Sequence, residues 1–457
     1  MLQIFNTETR QKEVFTPIDA NKVGMYVCGI TVYDYCHLGH ARVMVVFDTI
    51  VKHLRVLGYD VNYVRNITDI DDKIIKRALE NGESIQQLTT RFINAMHEDE
   101  MALNVARPDQ EPLATEYMDD IINMISTLIE KEHAYLADNG DVYFSVKSDE
   151  DYGRLSGKNI EDLEAGVRVE INTAKKDSLD FVLWKASKEN EPAWKSPWGQ
   201  GRPGWHIECS AMSTQCLGNS FDIHGGGMDL TFPHHENEIA QSECATGSHY
   251  ANTWVHCGFV RIDDEKMSKS LGNFFTIREV LKTYHPEVIR YFLLASHYRS
   301  AVNYSAENLD IAKASIGRLY SALELVKPSG ILPENSAYQS QFMQAMNDDF
   351  NTPKAFAVLF ELAKEINKSQ SKELATLLKK LASQLGLLEL DAEVFFKSQP
   401  STSRTEFSNE KIEQLIVDRE TARTHKDFAR SDEIRDELLE QGVELLDSAS
   451  GTSWRRI

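Results

Sequence analysis

Hydrophobic and polar positions alternate with two different periods along the chain. Residues 23–29 and 61–67 alternate as strands do, and the apolar positions of 41–57 between them recur with the spacing of a helix. A strand, a helix and a second strand of these lengths build a parallel, doubly wound sheet. Further short strands are predicted at 221–227 and 254–260. The pattern therefore predicts an α/β, Rossmann-like parallel sheet that binds ligands at the carboxyl ends of its strands.

The predicted sheet is interrupted, because the chain between its second and third strands is far longer than one crossover requires. After the sheet the pattern is mostly helical, for example at 342–368, and a polar linker precedes a short terminal segment. The predicted division is a sheet domain at 1–114 and 201–262, an insertion at 115–200, a loop region at 263–310, a helical bundle at 311–397 and a terminal module at 398–457.

The composition is that of a globular protein with several domains. The 457 residues are 42% hydrophobic and 26% charged, without a secretory leader or an apolar run long enough to cross a membrane. We therefore expect a cytoplasmic protein, with no membrane partner. Six cysteines without a CxxC pair predict reduced thiols. The net charge of −21 argues weakly against a nucleic-acid partner, although a local basic patch can override it.

A plausible zinc shell is formed by Cys28, Cys209, His234 and Glu238. Pro233 favours a helix start, so His234 and Glu238, four residues apart, are expected on one helical face, with His235 pointing elsewhere. The other cysteines are interpreted as core or incidental thiols. A zinc ion that accepts one more ligand binds a thiolate far better than a hydroxyl. The set therefore predicts a sensor for the cysteine side chain, in an enzyme that activates cysteine with ATP.

Two further motifs suit the handling of phosphates. His37, Leu38, Gly39 and His40 open a predicted helix, where imidazoles and the helix dipole can stabilise phosphate charge. The second motif is Lys266-Met267-Ser268-Lys269-Ser270, a loop whose lysines could close over a triphosphate. Each has a simpler interpretation: two capping or surface histidines, and a solvated lysine loop. Their joint occurrence in this order favours nucleotide binding.

Together the two motifs resemble the signatures of class I aminoacyl-tRNA synthetases, with Leu38 in place of the more familiar isoleucine. The stretches 28–34, 204–210, 221–241 and 451–455 further resemble cysteinyl-tRNA synthetases, and this resemblance covers essentially the whole chain. It implies a monomeric ligase that joins L-cysteine to ATP, with Mg²⁺, and then to tRNA(Cys). It also implies one zinc ion per chain, on the four residues named above. The alternative is a ligase that delivers activated cysteine to a small-molecule amine and has no need of the terminal module.

The resemblance and the residue types assign further roles. The phosphate contacts are His37, His40, Lys266 and Lys269. Nucleotide binding is assigned to Gly39, Gly225, Gly226, Gly227, Asp229 and Lys269. The amino-acid pocket is assigned to Gly29, Thr31, Thr68, Trp205 and His224. For Trp205 and His224, a place in the core with the polar atom satisfied is an equally good interpretation.

In the terminal segment, basic residues with spacings of four, three and four occupy one arc of a predicted helix: Arg419, Arg423, Lys426 and Arg430. Ile412 and Ile416 lie on the same arc, so a solvated face with ion pairs is an alternative to a phosphate-facing stripe. The resemblance favours an anticodon-binding module, with Trp454 and Arg455 against unpaired bases. The predicted tRNA-binding residues are Arg423, Arg430, Trp454 and Arg455.

Overall fold

The structure, a computed structural model, describes residues 1–159, 174–189, 191–262, 265–266, 275–398, 407–448 and 451–456. Its centre is a parallel sheet of four strands. In spatial order these are β11 (Ala251–Cys257), β10 (Phe221–Gly227), β3 (Lys22–Thr31) and β4 (Asp60–Thr68). The first crossover helix is α1 (Leu38–Val56). The predicted α/β parallel sheet is therefore confirmed.

The central strands form because their residues suit burial on both faces. Val23, Met25, Tyr26 and Val27 of β3 are all buried, which is typical of a parallel strand covered by helices on each side. Three strands and the helix predicted from periodicity match the observed elements within a few residues. The strand predicted at 254–260 begins earlier, at Ala251, and ends at Cys257.

An antiparallel sheet of five strands lies between β4 and β10 along the chain. Its spatial order is β5 (Ala134–Leu136), β6 (Val142–Phe144), β7 (Phe181–Ala186), β9 (Gly199–Pro203) and β8 (Trp194–Ser196). The helices around it are α2 (Asp72–Asn81), α3 (Ile85–Ala102), α4 (Met118–Glu130) and α5 (Trp205–Leu217). The N-terminal hairpin is β1 (Gln3–Asn6) and β2 (Gln11–Val14). The limits of the inserted domain stay a prediction.

After the central sheet the chain is mainly helical. Helix α6 (Glu236–Thr246) lies between β10 and β11, and the helices after β11 are α7 (Ile277–Leu281), α8 (Pro286–Leu294), α9 (Ala306–Leu325), α10 (Ala337–Asn347), α11 (Thr352–Ser369), α12 (Lys372–Ser383) and α13 (Ala392–Lys397). A small sheet has the order β13 (Glu265–Lys266), β12 (Val260–Ile262) and β14 (Val302–Tyr304). The helical pattern at 342–368 is interrupted at 348–351, where Asp349 and Phe350 have φ values of 60° and 51°.

The terminal module is formed by α14 (Asn409–Thr424), α15 (Phe428–Glu440) and the hairpin of β15 (Val443–Ser448) and β16 (Gly451–Arg456). Its small core includes Ile412, Ile416 and Trp454. The predicted basic arc is wrong, because α14 ends at Thr424 and Lys426 has a φ of 60°. Arg430 therefore lies on a different helix from Arg419 and Arg423. Among the described residues, no helix has the length and apolarity needed to span a membrane.

Candidate active site and metal centre

A cavity of about 340 Å³ opens at the carboxyl ends of β3, β10 and β11, the edge at which ligands bind in this class of sheet. Its lining includes residues of the predicted metal cluster, of the first phosphate motif and of the glycine stretch that ends β10. Among them are Cys28, Gly29, Thr31, His37, Gly39, His40, Trp205, Gly227 and Asp229. The topology of the sheet thus brings together residues separated by as many as two hundred positions in the chain.

At one end of this cavity the four predicted metal ligands meet. Cys28 Sγ lies 3.7 Å from Cys209 Sγ, 3.6 Å from His234 Nε2 and 3.2 Å from Glu238 Oε1. His234 Nε2 lies 2.7 Å from Glu238 Oε1. All four side chains are buried. Because these residues come from β3, α5, the turn at Thr231–His235 and α6, the contact between them is made by the tertiary fold.

The donor set and its spacing fit a zinc ion. With bonds of about 2.3 Å to sulfur and about 2.0 Å to nitrogen, tetrahedral zinc separates two sulfurs by about 3.8 Å and sulfur from nitrogen by about 3.5 Å. The observed separations of 3.7 Å and 3.6 Å agree with these values. Glu238 lies closer than this geometry requires, because its Oε1 forms a direct ion pair with His234. Two thiols, an imidazole and a carboxylate are also the ligand types that zinc prefers.

His235 was expected to point away from this cluster, and that expectation is wrong. Its donor atom lies within 4.8 Å of those of Cys28, His234 and Glu238. Its Nδ1 contacts His256 Nε2 at 2.8 Å, and its Nε2 packs towards Gly226. The Nδ1 of His235 therefore has a partner outside the cluster, whereas its buried Nε2 has no hydrogen-bond partner among the described residues. The ligand role of Cys209, whose Sγ lies 3.7 Å from that of Cys28, stays a prediction.

A second layer of side chains orients the ligands. His206 Nδ1 contacts His234 Nδ1 at 2.6 Å, which directs Nε2 of His234 towards the thiols. His224 Nε2 lies 2.7 Å from Glu238 Oε2, so the other oxygen of Glu238 faces Cys28. Such outer contacts fix the tautomer and orientation of metal ligands and strengthen metal binding.

The electrostatics of the cluster are set by burial and by the pairing of His234 with Glu238. Burial raises the pKa of the Cys28 thiol well above its usual value, whereas a hydrogen bond from Cys28 lowers the pKa of Cys209. Burial alone would lower the pKa of His234, but Glu238 and Cys209 outweigh it and raise the pKa to about 10. The imidazole of His234 and the carboxylate of Glu238 thus form a buried ion pair beside the two thiols, in which each charge stabilises the other.

The two histidines of the first motif cap α1 and also line the cavity. His37 Nδ1 accepts from the backbone N–H groups of Gly39 and His40, and His40 Nδ1 accepts from the N–H of His37. The two rings are stacked, with centroids 3.6 Å apart. Because each Nδ1 accepts a hydrogen bond, the hydrogen of each neutral ring lies on Nε2. The capping interpretation is therefore confirmed, and the Nε2–H of each ring is a donor of the kind that phosphate oxygens accept.

The segment that follows the lysine motif is hydrogen-bonded to the start of α1. The N–H of Leu38 donates to Phe275 O at 3.2 Å, and the N–H of Ile277 donates to Cys36 O at 2.9 Å. These bonds form a short antiparallel bridge between His37 and Thr276. The backbone of Lys266 lies on β13, paired with Arg261 of β12. Lys269 lies outside the described residues.

Gly225 and Gly226, which were predicted to contact the nucleotide, face side chains of the protein instead. A Cβ atom on Gly225 would lie 2.3 Å from the ring of Phe47, and one on Gly226 would lie 2.9 Å from the ring of His235. These glycines therefore allow side chains of neighbouring helices to pack closely on β10. Gly227 and Asp229 line the cavity, as do Gly39 and Thr31.

The residues predicted for the amino-acid pocket occupy different depths. Trp205 is 41% exposed and lies over His234, with ring centroids 4.2 Å apart. Gly29 lines the cavity, and its N–H donates to Asn66 Oδ1 at 2.8 Å. Thr68 and His224 lie one layer behind the wall, where Thr68 Oγ1 donates to Glu208 and His224 contacts Glu238. Their placement therefore does not favour direct contact of either Thr68 or His224 with a substrate.

The structure adds cavity residues that the sequence analysis missed. Arg65 lines the cavity, is buried, and forms ion pairs with Glu100 and with Glu111. A charged residue inside the apolar strand at 61–67 was the signal that could have indicated it, because buried arginine is rare without a partner. Gly258 and Phe259, which follow β11, also line the cavity.

In the terminal module the predicted tRNA-binding residues are paired with neighbours. Arg423 contacts Asp447 at 3.3 Å, Arg430 contacts Glu433 at 2.5 Å and Arg455 contacts Glu444 at 2.6 Å. Trp454 is 4% exposed, and its Nε1 donates to Glu413 at 2.7 Å. The placement of Trp454 contradicts stacking on an unpaired base, since its ring is part of the module core.

Comparison with known proteins places this architecture in a family. Residues 14–314 match the family model for the class I (C) tRNA synthetase catalytic domain, and residues 341–389 match the DALR domain. The chain is 78% identical over 456 residues to a cysteine–tRNA ligase of Hydrogenovibrio crunogenus, covering 100% of both chains. It is 61% identical over 466 residues to a cysteine–tRNA ligase of Methylococcus capsulatus, again covering 100% of both.

Solved structures show the same fold at low sequence identity. A Mycobacterium tuberculosis methionyl-tRNA synthetase in complex with methionyl-adenylate has a TM-score of 0.57 at 14% identity, over 86% of this chain and 95% of that chain. A leucyl enzyme of Agrobacterium radiobacter, LeuRS in a ternary complex with tRNA, has a TM-score of 0.56 at 11% identity, over 83% and 87%. With full-length identity of 78% to a curated relative, the chain belongs to the cysteine–tRNA ligase family of class I tRNA synthetases.

Proposed function

We propose that this protein activates L-cysteine with ATP and transfers it to tRNA(Cys). The observation that carries the proposal is the convergence of two cysteines, a histidine and a glutamate at the end of a cavity that His37 and His40 also line. This arrangement provides a thiol-selective site beside a phosphate-binding site. The small-amine ligase is not favoured, because the relatives that match the whole chain, terminal module included, are tRNA ligases by name.

Cys28, Cys209, His234 and Glu238 hold one zinc ion in this proposal. When bound, zinc supplies a Lewis-acid position that prefers a thiolate to a hydroxyl, and so selects cysteine over serine. His206 and His224 keep the ligands oriented through His234 and Glu238. Trp205, exposed above His234, covers the side chain of the bound amino acid and excludes water from it.

The neighbouring part of the cavity binds ATP, with Mg²⁺. His37 and His40 donate from Nε2 to phosphate oxygens as charge develops during loss of pyrophosphate. Asp229 accepts from the ribose hydroxyls, and Gly39 and Gly227 allow the nucleotide to approach the backbone. Lys266 and Lys269 complete the phosphate contacts. The carboxylate of cysteine attacks the α-phosphorus as the bond to pyrophosphate breaks, which gives cysteinyl-adenylate and free pyrophosphate. In this reaction the protein mainly positions groups and stabilises charge.

The terminal module, residues 398–457, recognises the anticodon region of the tRNA. Arg423, Arg430 and Arg455 supply its cationic contacts, because their guanidinium groups lie at the module surface and can exchange a carboxylate partner for a phosphate. The DALR domain at 341–389 supports a tRNA partner. Trp454 holds the module together and is left out of this set.

The proposal is tested in two steps with the purified full-length protein. Cysteine-dependent exchange of pyrophosphate into ATP should occur, serine should not replace cysteine, and cysteine should then be transferred to unfractionated tRNA. A chain that ends before Ser401 should retain the exchange reaction and lose most of the transfer, since all the residues assigned to cysteine and ATP precede the cut. Exchange without any transfer by the intact protein would contradict the tRNA assignment.

A further inference from the structure

The wall of the cavity next to β11 is supported by a segment from the helical half of the chain. Gly258 lines the cavity, and its N–H donates to Tyr298 O at 2.8 Å. A Cβ atom on Gly258 would lie 2.5 Å from Ser300 O, so the two backbones are in close contact. The N–H of Val302 donates to Phe259 O at 2.8 Å. Movement of residues 296–302 would therefore move this wall.

Two charged side chains hold the supporting segment from opposite sides. From α1, Arg42 Nη2 donates to the backbone carbonyls of this segment, at 2.9 Å for His297. From the turn between α10 and α11, Asp349 accepts from Tyr298 Oη at 2.7 Å and from Arg299 Nε at 2.9 Å. Asp349 and Arg42 are fully buried. The segment thus connects the helix that carries His37 and His40 with the helical domain.

The backbone at Asp349 is unusual. Asp349 and Phe350 both have a positive φ, a conformation that residues with a Cβ rarely adopt and that surrounding contacts must enforce. The turn is held by the N–H of Asp349, which donates to Gln3 O at 2.9 Å. Its carboxylate accepts in addition from the N–H of Phe5 at 2.9 Å. The strained backbone aims a buried carboxylate at the segment that supports the cavity wall.

We propose that Asp349 is a positioning residue for nucleotide binding, acting from the helical domain through Tyr298 and Arg299 on Gly258. The inference rests on the proposed binding of ATP at this end of the cavity. The predicted zinc ligands lie on β3, α5, the turn at Thr231–His235 and α6, and among the described residues their side-chain hydrogen bonds are to residues outside the 296–302 segment. Loss of the Asp349 charge should therefore weaken ATP binding while the binding of cysteine and zinc is preserved.

The test compares Asp349→Asn with the unaltered full-length protein. Asparagine has the same shape, but its NH₂ group meets the donors of Arg299 and His297, so the ion pair is lost. We expect about a tenfold rise in the Kd for Mg-ATP by calorimetry, matched by the KM for ATP in pyrophosphate exchange. The KM for cysteine and the zinc content should change less than about twofold. Calorimetry requires no reaction, so this result is read separately from the proposed activity.

Asp348→Asn is the matched control. Asp348 lies in the same turn, but its carboxylate contacts Lys12 and Lys354 at the surface. This variant should bind Mg-ATP as the unaltered protein does. Tyr298→Phe, which removes one donor to Asp349, should weaken ATP binding to a smaller extent and add little in combination with Asp349→Asn.

Two outcomes would overturn the proposal. One is unchanged Mg-ATP binding by Asp349→Asn. The other is an equal rise in the KM for ATP and the KM for cysteine, because a general loss of structure would raise both. Thermal unfolding of each variant is measured alongside. If Asp349→Asn does not fold, Tyr298→Phe decides the matter, and unchanged ATP binding by that variant contradicts the proposal.

Discussion

The catalytic cavity and the terminal module use charged side chains in opposite ways. At the end of the cavity, side chains of Cys28, His234 and Glu238 lie within 3.6 Å of one another. Burial of these polar groups costs free energy through their desolvation. His206 and His224 hold them in place through hydrogen bonds. In the terminal module, Arg423 and Arg455 each have a carboxylate of the same module as a partner. Polar side chains from different elements that converge on one point indicate a bound ligand. A charged side chain that has a partner in its own module needs no ligand to explain its presence.

The largest effect should follow from breaking the convergence. Cys209→Ser removes a soft ligand from the buried cluster, so zinc should be lost and cysteine activation should fall by more than about 100-fold. Zinc per chain is measured by elemental analysis, and activation by pyrophosphate exchange. Cys216→Ser is the control, because Cys216 lies on the same helix but contacts Tyr117 instead. Full zinc content in Cys209→Ser would contradict the assignment.

His37 combines a capping role with a proposed catalytic role, and two substitutions separate them. Asparagine is a good N-cap residue, so His37→Asn should keep the stability of α1 while adenylate formation falls by about 100-fold. His37→Ala should show the same loss of rate and, in addition, a decrease of about 1 kcal/mol in the free energy of unfolding. Chemical denaturation and single-turnover kinetics measure the two quantities. Equal rates for His37→Asn and the unaltered protein would leave His37 with capping alone.

Within the terminal module, two arginines that share Asp447 should differ in what they support. Arg419 is buried and donates twice to Asp447 at 2.8 Å, so Arg419→Ala should destabilise the module by about 2 kcal/mol. Arg423 is about half exposed, so Arg423→Ala should alter stability by less than about 0.5 kcal/mol. Arg423→Ala should instead weaken tRNA binding. It should also reduce the slope of the logarithm of the tRNA binding constant against the logarithm of salt concentration by about one. Unchanged tRNA binding by Arg423→Ala would mean that the ion pair of Arg423 with Asp447 is structural, like that of Arg419.

The smallest effect concerns pH. Arg419 and Thr452 hold the pKa of Asp447 well below its usual range, so the native module binds fewer protons than the unfolded one. The stability from this group is present above about pH 4, the unfolded pKa, and is lost as the pH falls below it. The protection factors for hydrogen exchange in residues 407–448, corrected for the intrinsic exchange rate at each pH, should therefore fall on acidification below about pH 4. Asp447→Asn should remove that part of the pH dependence.

The central sheet could be predicted because its strands are apolar runs of the right length, bounded by turns. The two breaks in the helical regions could not be predicted from periodicity, since apolar and basic spacings continue across them. Local capping residues were the available signal. Asn351 caps α11 and Asp427 caps α15 through the N–H groups of Lys354 and Arg430. Both are residue types that favour helix starts.

The cluster of Cys28, Cys209, His234 and Glu238 was predictable from residue type and from the spacing of its last two members, whereas the contacts around it were not. His206 contacts His234 through tertiary packing, and His235 packs against His224, which in turn contacts Glu238. These contacts depend on how α5 and α6 approach β10. Trp454 shows the opposite error. An aromatic residue beside arginines suits base stacking, but a module as small as this one needs its large side chains for a core.

The bridge between the start of α1 and the segment after the lysine motif consists of main-chain hydrogen bonds, so it places a constraint on chain length more than on residue identity. A residue other than proline at 275–277 keeps the main-chain donors and acceptors of these bonds. Insertion or deletion of one residue next to them would shift the register and turn every side chain to the other face. We expect evolution to tolerate sequence drift in this stretch but not changes in its length. The much longer interval between the two motifs has no such limit, because its loops can lengthen while the bridge holds its two ends together.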